Sequence, residues 1–215
     1  MNTFQWDLCF VADLESAGST DLLYFIQEAV EGGVTLVQLR AKNLSARKFL
    51  HLSLRVSRYL RSKNIPLVVN DRTDIAFSCE SQGVHLGQDD LPLPYARKIL
   101  GKNKWVGISV NTVQEALDAE SQGADYLGVG PIFSTPSKKD ARSALGLEGF
   151  QSIRKSTGLP ILAIGGIHIQ NAGEIIAQGA DGVAVISALM SSSDVRTSAQ
   201  QLRQIIKKAR SQKLD

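Results

Sequence analysis

Cysteine is nearly absent from this chain: Cys9 and Cys79 are the only two in 215 residues. That excludes a disulfide framework, and neither a Cys-x-x-Cys pair nor metal-ligand spacing occurs. Both are read as reduced, buried thiols, which behave as small hydrophobes. Long hydrophobic runs are missing too. None approaches the ~18 residues of a membrane helix, so no membrane span is expected. The stretch Met1-Asn2-Thr3-Phe4-Gln5-Trp6-Asp7 has no basic start and no apolar core. It is not read as a secretory signal, and a soluble, cytoplasmic protein is expected. Neither sign of charge is in large excess: 24 basic against 21 acidic residues leave +3. So mild a balance suits small anionic ligands and makes no demand for nucleic acid. The basic C-terminal stretch, with Arg203, Lys207, Lys208, Arg210 and Lys213, has no aromatic residue on which a base could stack, so it is read as a solvated helix face. Linkers and low-complexity tracts are lacking, and residues 1–215 are read as one domain.

What is there is ordinary core-forming material, 43% hydrophobic and 21% charged. A weak repeat organises it. Glu31-Gly32-Gly33-Val34, Ser81-Gln82-Gly83-Val84, Ser121-Gln122-Gly123-Ala124-Asp125 and Ala177-Gln178-Gly179-Ala180-Asp181 each follow a helical pattern and precede an apolar run. The glycine suits the left-handed residue that ends many helices. Apolar runs predict strands over 8–12, 34–39, 66–70, 83–87, 105–109, 125–130, 160–164 and 181–186. Helical periodicity predicts helices over 20–31, 45–62, 72–80, 92–100, 112–121, 147–156, 169–178 and 194–210. Alternation of this kind, with near-continuously apolar strands, predicts an α/β protein whose parallel sheet is covered on both sides. Eight units close most naturally into a (β/α)8 TIM barrel; a doubly wound open sheet is the competing topology. The longest connection, 130–146, is read as a lid-like binding loop.

Polar residues stand just past the apolar runs, where the chemistry of a parallel barrel converges. Asp71 follows Val68-Val69-Asn70, and Asp90 follows Leu86-Gly87-Gln88-Asp89. Neighbouring strands lie ~4.8 Å apart, so both carboxylates can reach one cation. Mg2+ favours one or two carboxylates with water and phosphate oxygens. The competing reading of Asp71 is a helix N-cap, and Asp89 is the rival carboxylate at the second position. Gln38, Arg40 and Lys42 alternate, which puts all three on one side of an extended segment. Arginine offers phosphate a fork of donors and lysine a point charge; a solvated basic edge is the alternative. In the long loop, Thr135, Ser137 and Lys138 form the pattern of an anion clamp, with Lys139 as an exposed neighbour. Gly165-Gly166-Ile167 and Ile186-Ser187 end the seventh and eighth apolar runs, where barrels often bind phosphate. His85 is read as a hydrogen-bonded core residue, and His51 and His168 as surface residues. No Ser-His-Asp order or zinc motif is present.

Taken in order, these blocks resemble the thiamine-phosphate synthase family across nearly the whole chain. They are Val37-Gln38-Leu39-Arg40-Ala41-Lys42, Val69-Asn70-Asp71, Gly83-Val84-His85-Leu86-Gly87-Gln88-Asp89-Asp90, Gly107-Ile108-Ser109, Gly130-Pro131-Ile132-Phe133, Thr135-Pro136-Ser137-Lys138, Gly165-Gly166-Ile167 and Ile186-Ser187. The resemblance implies a (β/α)8 barrel enzyme, a transferase that joins 4-amino-5-hydroxymethyl-2-methylpyrimidine diphosphate to a thiazole phosphate, or its carboxylated form. Thiamine phosphate and pyrophosphate would be the products. It implies that Gln38, Arg40, Lys42, Asn70, Ser109 and Lys138 hold the pyrimidine diphosphate. Asp71 and Asp90 would bind Mg2+, and Thr135, Ser137, Gly166, Ile186 and Ser187 the thiazole phosphate. Lys138, Arg40 and Ser109 are the expected catalytic residues. Small phosphorylated molecules are the expected partners, without nucleic acid or membrane, and a homo-oligomer is compatible. Departures from the family pattern are Ser134 for a common proline, Ser137 for threonine, Asn111 for histidine and Ala41 for an acidic residue. Rival readings are a thiazole tautomerase of the same superfamily, a non-catalytic barrel that binds thiamine precursors, and a sugar-phosphate enzyme such as an epimerase.

Overall fold

A computed structural model describes residues 6–135 and 143–212. Eight parallel strands close in chain order: β1 (Leu8–Asp13), β2 (Leu36–Arg40), β3 (Leu67–Asn70), β4 (Gly83–Leu86), β5 (Trp105–Val110), β6 (Tyr126–Val129), β7 (Ile161–Ile164) and β8 (Gly182–Val185). The helices are α1 (Leu14–Ala17), α2 (Leu22–Glu31), α3 (Ala46–Ser62), α4 (Thr73–Ser78), α5 (Leu93–Leu100), α6 (Val113–Ser121), α7 (Gly146–Ser156), α8 (Ala172–Ala177), α9 (Ser187–Met190) and α10 (Val195–Ser211). The open sheet is ruled out because β1 pairs with β8, Leu8 opposite Val183 and Phe10 opposite Val185. Every expected strand is present, its ends shifted by two residues at most. Sequence periodicity missed α1 and α9: four residues are barely one turn and carry no pattern.

The strands are buried on both faces, as a sheet wrapped by helices requires. The helices supply one apolar stripe each. In α10, Val195, Ala199, Leu202 and Ile206 recur at helical spacing and are buried. Caps fix where helices begin: Asp21, Thr112 and Asp194 accept the N–H groups of Leu23, Glu115 and Thr197 at 3.1, 3.1 and 2.9 Å. Gly33, Gly123 and Gly179 are left-handed, at φ 97°, 86° and 108°, as the repeat predicts. Gly83 is not. It opens β4, and Glu80 (φ 53°) takes the left-handed turn instead. Glycine is needed at 83 for contact rather than conformation, since a Cβ there would sit 2.2 Å from the Trp105 carbonyl oxygen.

The end of the barrel opposite the strand C-termini is braced by carboxylates. Asp125 Oδ2 accepts the Val106 N–H at 2.7 Å and lies 2.5 Å from Arg97 of α5. Asp181 repeats the arrangement, accepting the Ile161 N–H at 2.8 Å and Arg154 of α7 at 3.1 Å. Above this lies an aromatic floor. The Trp6 ring packs at a tilt, its centroid 5.0 Å from that of Trp105 and 4.8 Å from that of Tyr126. Asp7, 2% exposed, accepts hydrogen bonds from both Arg203 and Arg210 of α10. The reading of that helix as a purely solvated basic face is therefore corrected for these two residues.

Breaking a buried ion pair by removing one partner strands the other charge. Asp7→Ala is expected to lower the unfolding free energy in urea by ~3–4 kcal/mol. Arg210→Ala, whose side chain is 40% exposed, should lower it by about 1 kcal/mol or less. Equal small losses for both would contradict the anchoring role of Asp7.

Candidate active site

The strand C-termini open onto a cavity of about 230 Å3. Its lining brings together Arg40, Lys42, Asn70, Asp71, Asp90, Ser109, Thr135, Gly166, Ile186 and Ser187, all expected from the sequence. Gln38 is not among them. It is 4% exposed and lies two residues deeper along β2 than Arg40. The alternation of Gln38, Arg40 and Lys42 thus holds, but only its outer two members reach the cavity. Ser137 and Lys138 lie outside the described residues.

Arg40 ends β2 directly opposite Asp13, the last residue of β1. Its Nη1 lies 2.5 Å from Asp13 Oδ1 and 3.5 Å from Glu15 Oε2. Ser16 donates to the other Asp13 oxygen at 2.7 Å. Burial pushes the Asp13 carboxyl up, but the hydrogen bonds from Ser16 and Arg40 outweigh it and hold it below its ordinary value. The guanidinium is thus fixed in the rim. Asp13 was missed by the sequence reading, although it ends an apolar run just as Asp71 does.

Asp71 follows β3 in a left-handed conformation (φ 63°), and its N–H donates to the His85 carbonyl at 2.8 Å. It is not a helix N-cap; Arg72 holds that position on α4 and makes no side-chain cap. Non-glycine residues held at positive φ cluster at functional sites. Asp90 turns back so that its Oδ2 accepts the Gly87 N–H at 2.6 Å. The Asp90 carboxyl stands close enough to Asp71 to oppose its ionisation. Burial, then this contact with Asp90, pushes Asp71 up to about 6, against the pull of Lys42 and Arg40. Lys42 Nζ is 3.6 Å from Asp71 Oδ2. Among the described residues no third His, Cys, Asp or Glu joins the pair to make a metal-ligating group. Two carboxylates facing an open cavity match Mg2+, which keeps waters and takes substrate oxygens. They do not match a cation that needs a closed protein cage.

The opposite wall is made of backbone. Gly165 and Gly166 turn at φ 99° and 64°, and a Cβ on Gly166 would lie 2.7 Å from that of Phe133. The Asn171 side chain braces this turn, donating to the Gly166 carbonyl at 2.9 Å and accepting the His168 N–H at 2.8 Å. Ile186 stands at the N-cap of α9 and Ser187 opens the helix. A helix start beside the β7 and β8 ends is the usual barrel phosphate cradle. The long loop is pinned at its base: Phe133 donates to Gly165 at 3.0 Å, and Leu145 and Gly146 donate to Pro131 and Ile132 at 2.9 Å.

Gln88, which stands past β4 among the expected polar residues but was given no role, also lines the cavity, as does Glu115, which was not anticipated. Gln88 Nε2 donates to the Ser109 carbonyl at 2.7 Å, and Glu115 accepts the Asn111 N–H at 2.7 Å. Of the described lining, Arg40 and Lys42 are basic while Asp71, Asp89, Asp90 and Glu115 are acidic. On this described part of the lining carboxylates outnumber cations, so a bound cation would help it accept a polyanion.

The raised Asp71 carboxyl has a consequence for stability. Its folded value of about 6 lies above the ordinary 3.8, so the folded protein holds the proton more tightly than the unfolded chain. Stability is lost as pH rises through that window and stays lost at neutral pH. Asp71→Asn, with a side chain tolerant of positive φ, should therefore raise the stability of metal-free protein at pH 7 on the order of 1 kcal/mol, allowing for partial exposure. The gain should vanish below about pH 4, where both forms are neutral. Thermal melts at the two pH values check this; destabilisation at pH 7 would contradict it.

Comparison with known proteins agrees with this geometry. The family model for thiamine monophosphate synthase matches residues 8–189. The thiamine-phosphate synthase of Syntrophomonas wolfei is 49% identical over 200 residues, covering 93% of this chain and 96% of that protein. That of Moorella thermoacetica is 47% identical over 206 residues, covering 96% and 98%. Among solved structures, thiamine phosphate pyrophosphorylase from Pyrococcus furiosus superposes with a TM-score of 0.88 at 38% identity, covering 96% of this chain and 98% of that one. By fold, by sequence and by the residues gathered at its rim, the chain belongs to the thiamine monophosphate synthase family.

Proposed function

We propose that this chain catalyses the coupling of 4-amino-5-hydroxymethyl-2-methylpyrimidine diphosphate to 4-methyl-5-(2-phosphoethyl)thiazole, forming thiamine phosphate and pyrophosphate. The observation that carries this reading is the grouping of Asp71 and Asp90 beside Arg40 and Lys42, with Lys42 Nζ 3.6 Å from Asp71 Oδ2. It lies in a cavity whose other wall is the Gly165–Gly166 turn and the start of α9. Family membership supplies the substrates.

Asp71 and Asp90 would hold Mg2+, which when bound offsets the charge of the diphosphate and makes it a better leaving group. Arg40 and Lys42, with Lys138 from the loop, donate to the same oxygens. Asn70 and Ser109 fix the substrate from the floor, with Gln38 beneath them. Gly166, Ile186 and Ser187, together with Thr135 and Ser137, hold the thiazole phosphate. The bond from the pyrimidine methylene to oxygen breaks, and its electron pair leaves with pyrophosphate. The electron-rich aminopyrimidine ring shares the positive charge left on the methylene. The thiazole nitrogen then donates its lone pair to form the new C–N bond. No proton has to be taken at the reacting carbon, so catalysis rests on positioning and on stabilising leaving-group charge.

Thiamine phosphate, oxidised to fluorescent thiochrome, is the readout. A chelator should abolish turnover and weaken diphosphate binding, because Asp71 and Asp90 then face the polyanion without the cation that offsets their charge. Calorimetric binding of the thiazole phosphate should persist. Turnover unchanged by chelator would overturn the metal assignment. Lys138→Ala should lower kcat by roughly 100-fold while changing the thiazole phosphate Kd by less than about threefold. Near-normal turnover in that variant would remove Lys138 from the mechanism.

A further inference from the structure

Inside the barrel, beneath Ser109, lies a polar chain that the reaction does not by itself explain. His85 Nδ1 is 3.0 Å from Tyr126 Oη, and His85 Nε2 is 2.8 Å from Ser109 Oγ. Tyr126 is fully buried and His85 is 7% exposed. The strands on either side are cut away to admit both rings. A Cβ on Gly107 would lie 2.1 Å from Tyr126 Cζ, and a Cβ on Gly128 would lie 2.7 Å from His85 Cε1. Apolar side chains would fill this volume at lower cost than a histidine and a tyrosine whose polar atoms all need partners.

Proton counting fixes the direction of the chain. Among the described residues, the only hydrogen bond of the Tyr126 hydroxyl is with His85 Nδ1. If that hydroxyl accepted, its own hydrogen would be left unpaired in a fully buried place, a costly arrangement. Burial also pushes the phenol well above its ordinary value, so the hydrogen is present. Tyr126 therefore donates, and Nδ1 accepts with its lone pair. A neutral imidazole that accepts at one nitrogen carries its hydrogen on the other. Nε2 must then donate to Ser109 Oγ. The serine oxygen has received its bond from below, so its own hydrogen is directed to the cavity it lines.

We propose that His85 and Tyr126 are positioning residues that orient the Ser109 hydroxyl as a hydrogen-bond donor toward the substrate. This deepens the proposed function and rests on its assignment of Ser109 to the pyrimidine diphosphate. Ser109 touches the substrate; His85 and Tyr126 act only through it. With the network reversed, Ser109 would present a lone pair to an electron-rich ligand.

Two measurements test this. Long-range 1H–15N correlation spectra of the wild-type protein, labelled at its three histidines, read the tautomer of His85 directly. His85→Gln assigns the signal by its disappearance. A proton on Nε2 and a bare Nδ1 are expected. A proton on Nδ1, or on both nitrogens, would overturn the proposal, and this outcome needs neither substrate nor activity. Kinetics supply the second test. Tyr126→Phe should lower kcat/KM for the pyrimidine diphosphate about tenfold, the cost of one misdirected hydrogen bond. KM for the thiazole phosphate should not move, which a general loss of structure would not spare. Combined with Ser109→Ala, Tyr126→Phe should add no further loss. Fully additive losses would overturn the proposal. A wild-type protein that makes no thiamine phosphate would sink the synthase reading alone, since the tautomer still decides the direction of the chain.

Discussion

Parallel pairing around a closed circle dictates where the strand ends of this chain must go. Because every strand runs the same way and β1 closes onto β8, every residue that follows a strand arrives at one rim. Residues as far apart in sequence as Asp13 and Ser187 become neighbours without any contact designed to bring them together. Closure in turn depends on small side chains at the narrow places, such as Gly83 against the Trp105 carbonyl. The convergence of chemistry is thus a consequence of backbone geometry, and the side chains at the rim refine it.

The rim is divided electrostatically. On the β1–β4 side, among the described cavity lining, each positive charge stands beside a negative one: Arg40 against Asp13 and Glu15, Lys42 against Asp71. On the β7–β8 side stand a glycine turn and a helix start that Ser187 opens, without a charged side chain among the described lining there. These walls treat anions differently. A glycine turn and a helix start suit a single phosphate, whereas the proposed diphosphate on the charged wall calls for a cation beside the carboxylates. The raised Asp71 carboxyl reflects burial first and the neighbouring Asp90 second, a cost of ionisation that a cation held between the two would relieve.

Much of this was legible in the sequence. Strand positions follow from short apolar runs, since a strand buried on both faces has no other composition to use. The acids and amides past those runs were legible for the same reason. Contacts made across the barrel were not. Arg40 and Asp13 are 27 residues apart, and no local pattern announces their register. Gln38 follows the same alternation as Arg40, and only the depth of the barrel separates their roles. The left-handed Asp71 lay hidden because aspartate is equally at home as a helix cap. The link of His85 to Tyr126 and Ser109 spans three strands, and its clearest sequence trace is a pair of glycines inside apolar runs, each easily taken for looseness. The two four-residue helices carry too little periodicity to be seen.

The carboxylate braces at the far end of the barrel, Asp7, Asp125 and Asp181, touch none of the cavity. Asp125 and Asp181 each tie a helix-borne arginine to a neighbouring strand where the chain turns from helix into strand, and Asp7 holds two arginines of α10 just before β1. Durability and chemistry therefore draw on separate sets of residues at opposite poles of one small body. A lineage carrying this barrel can rewrite the loops at one pole, altering what it binds, while the other pole keeps the protein folded through the change.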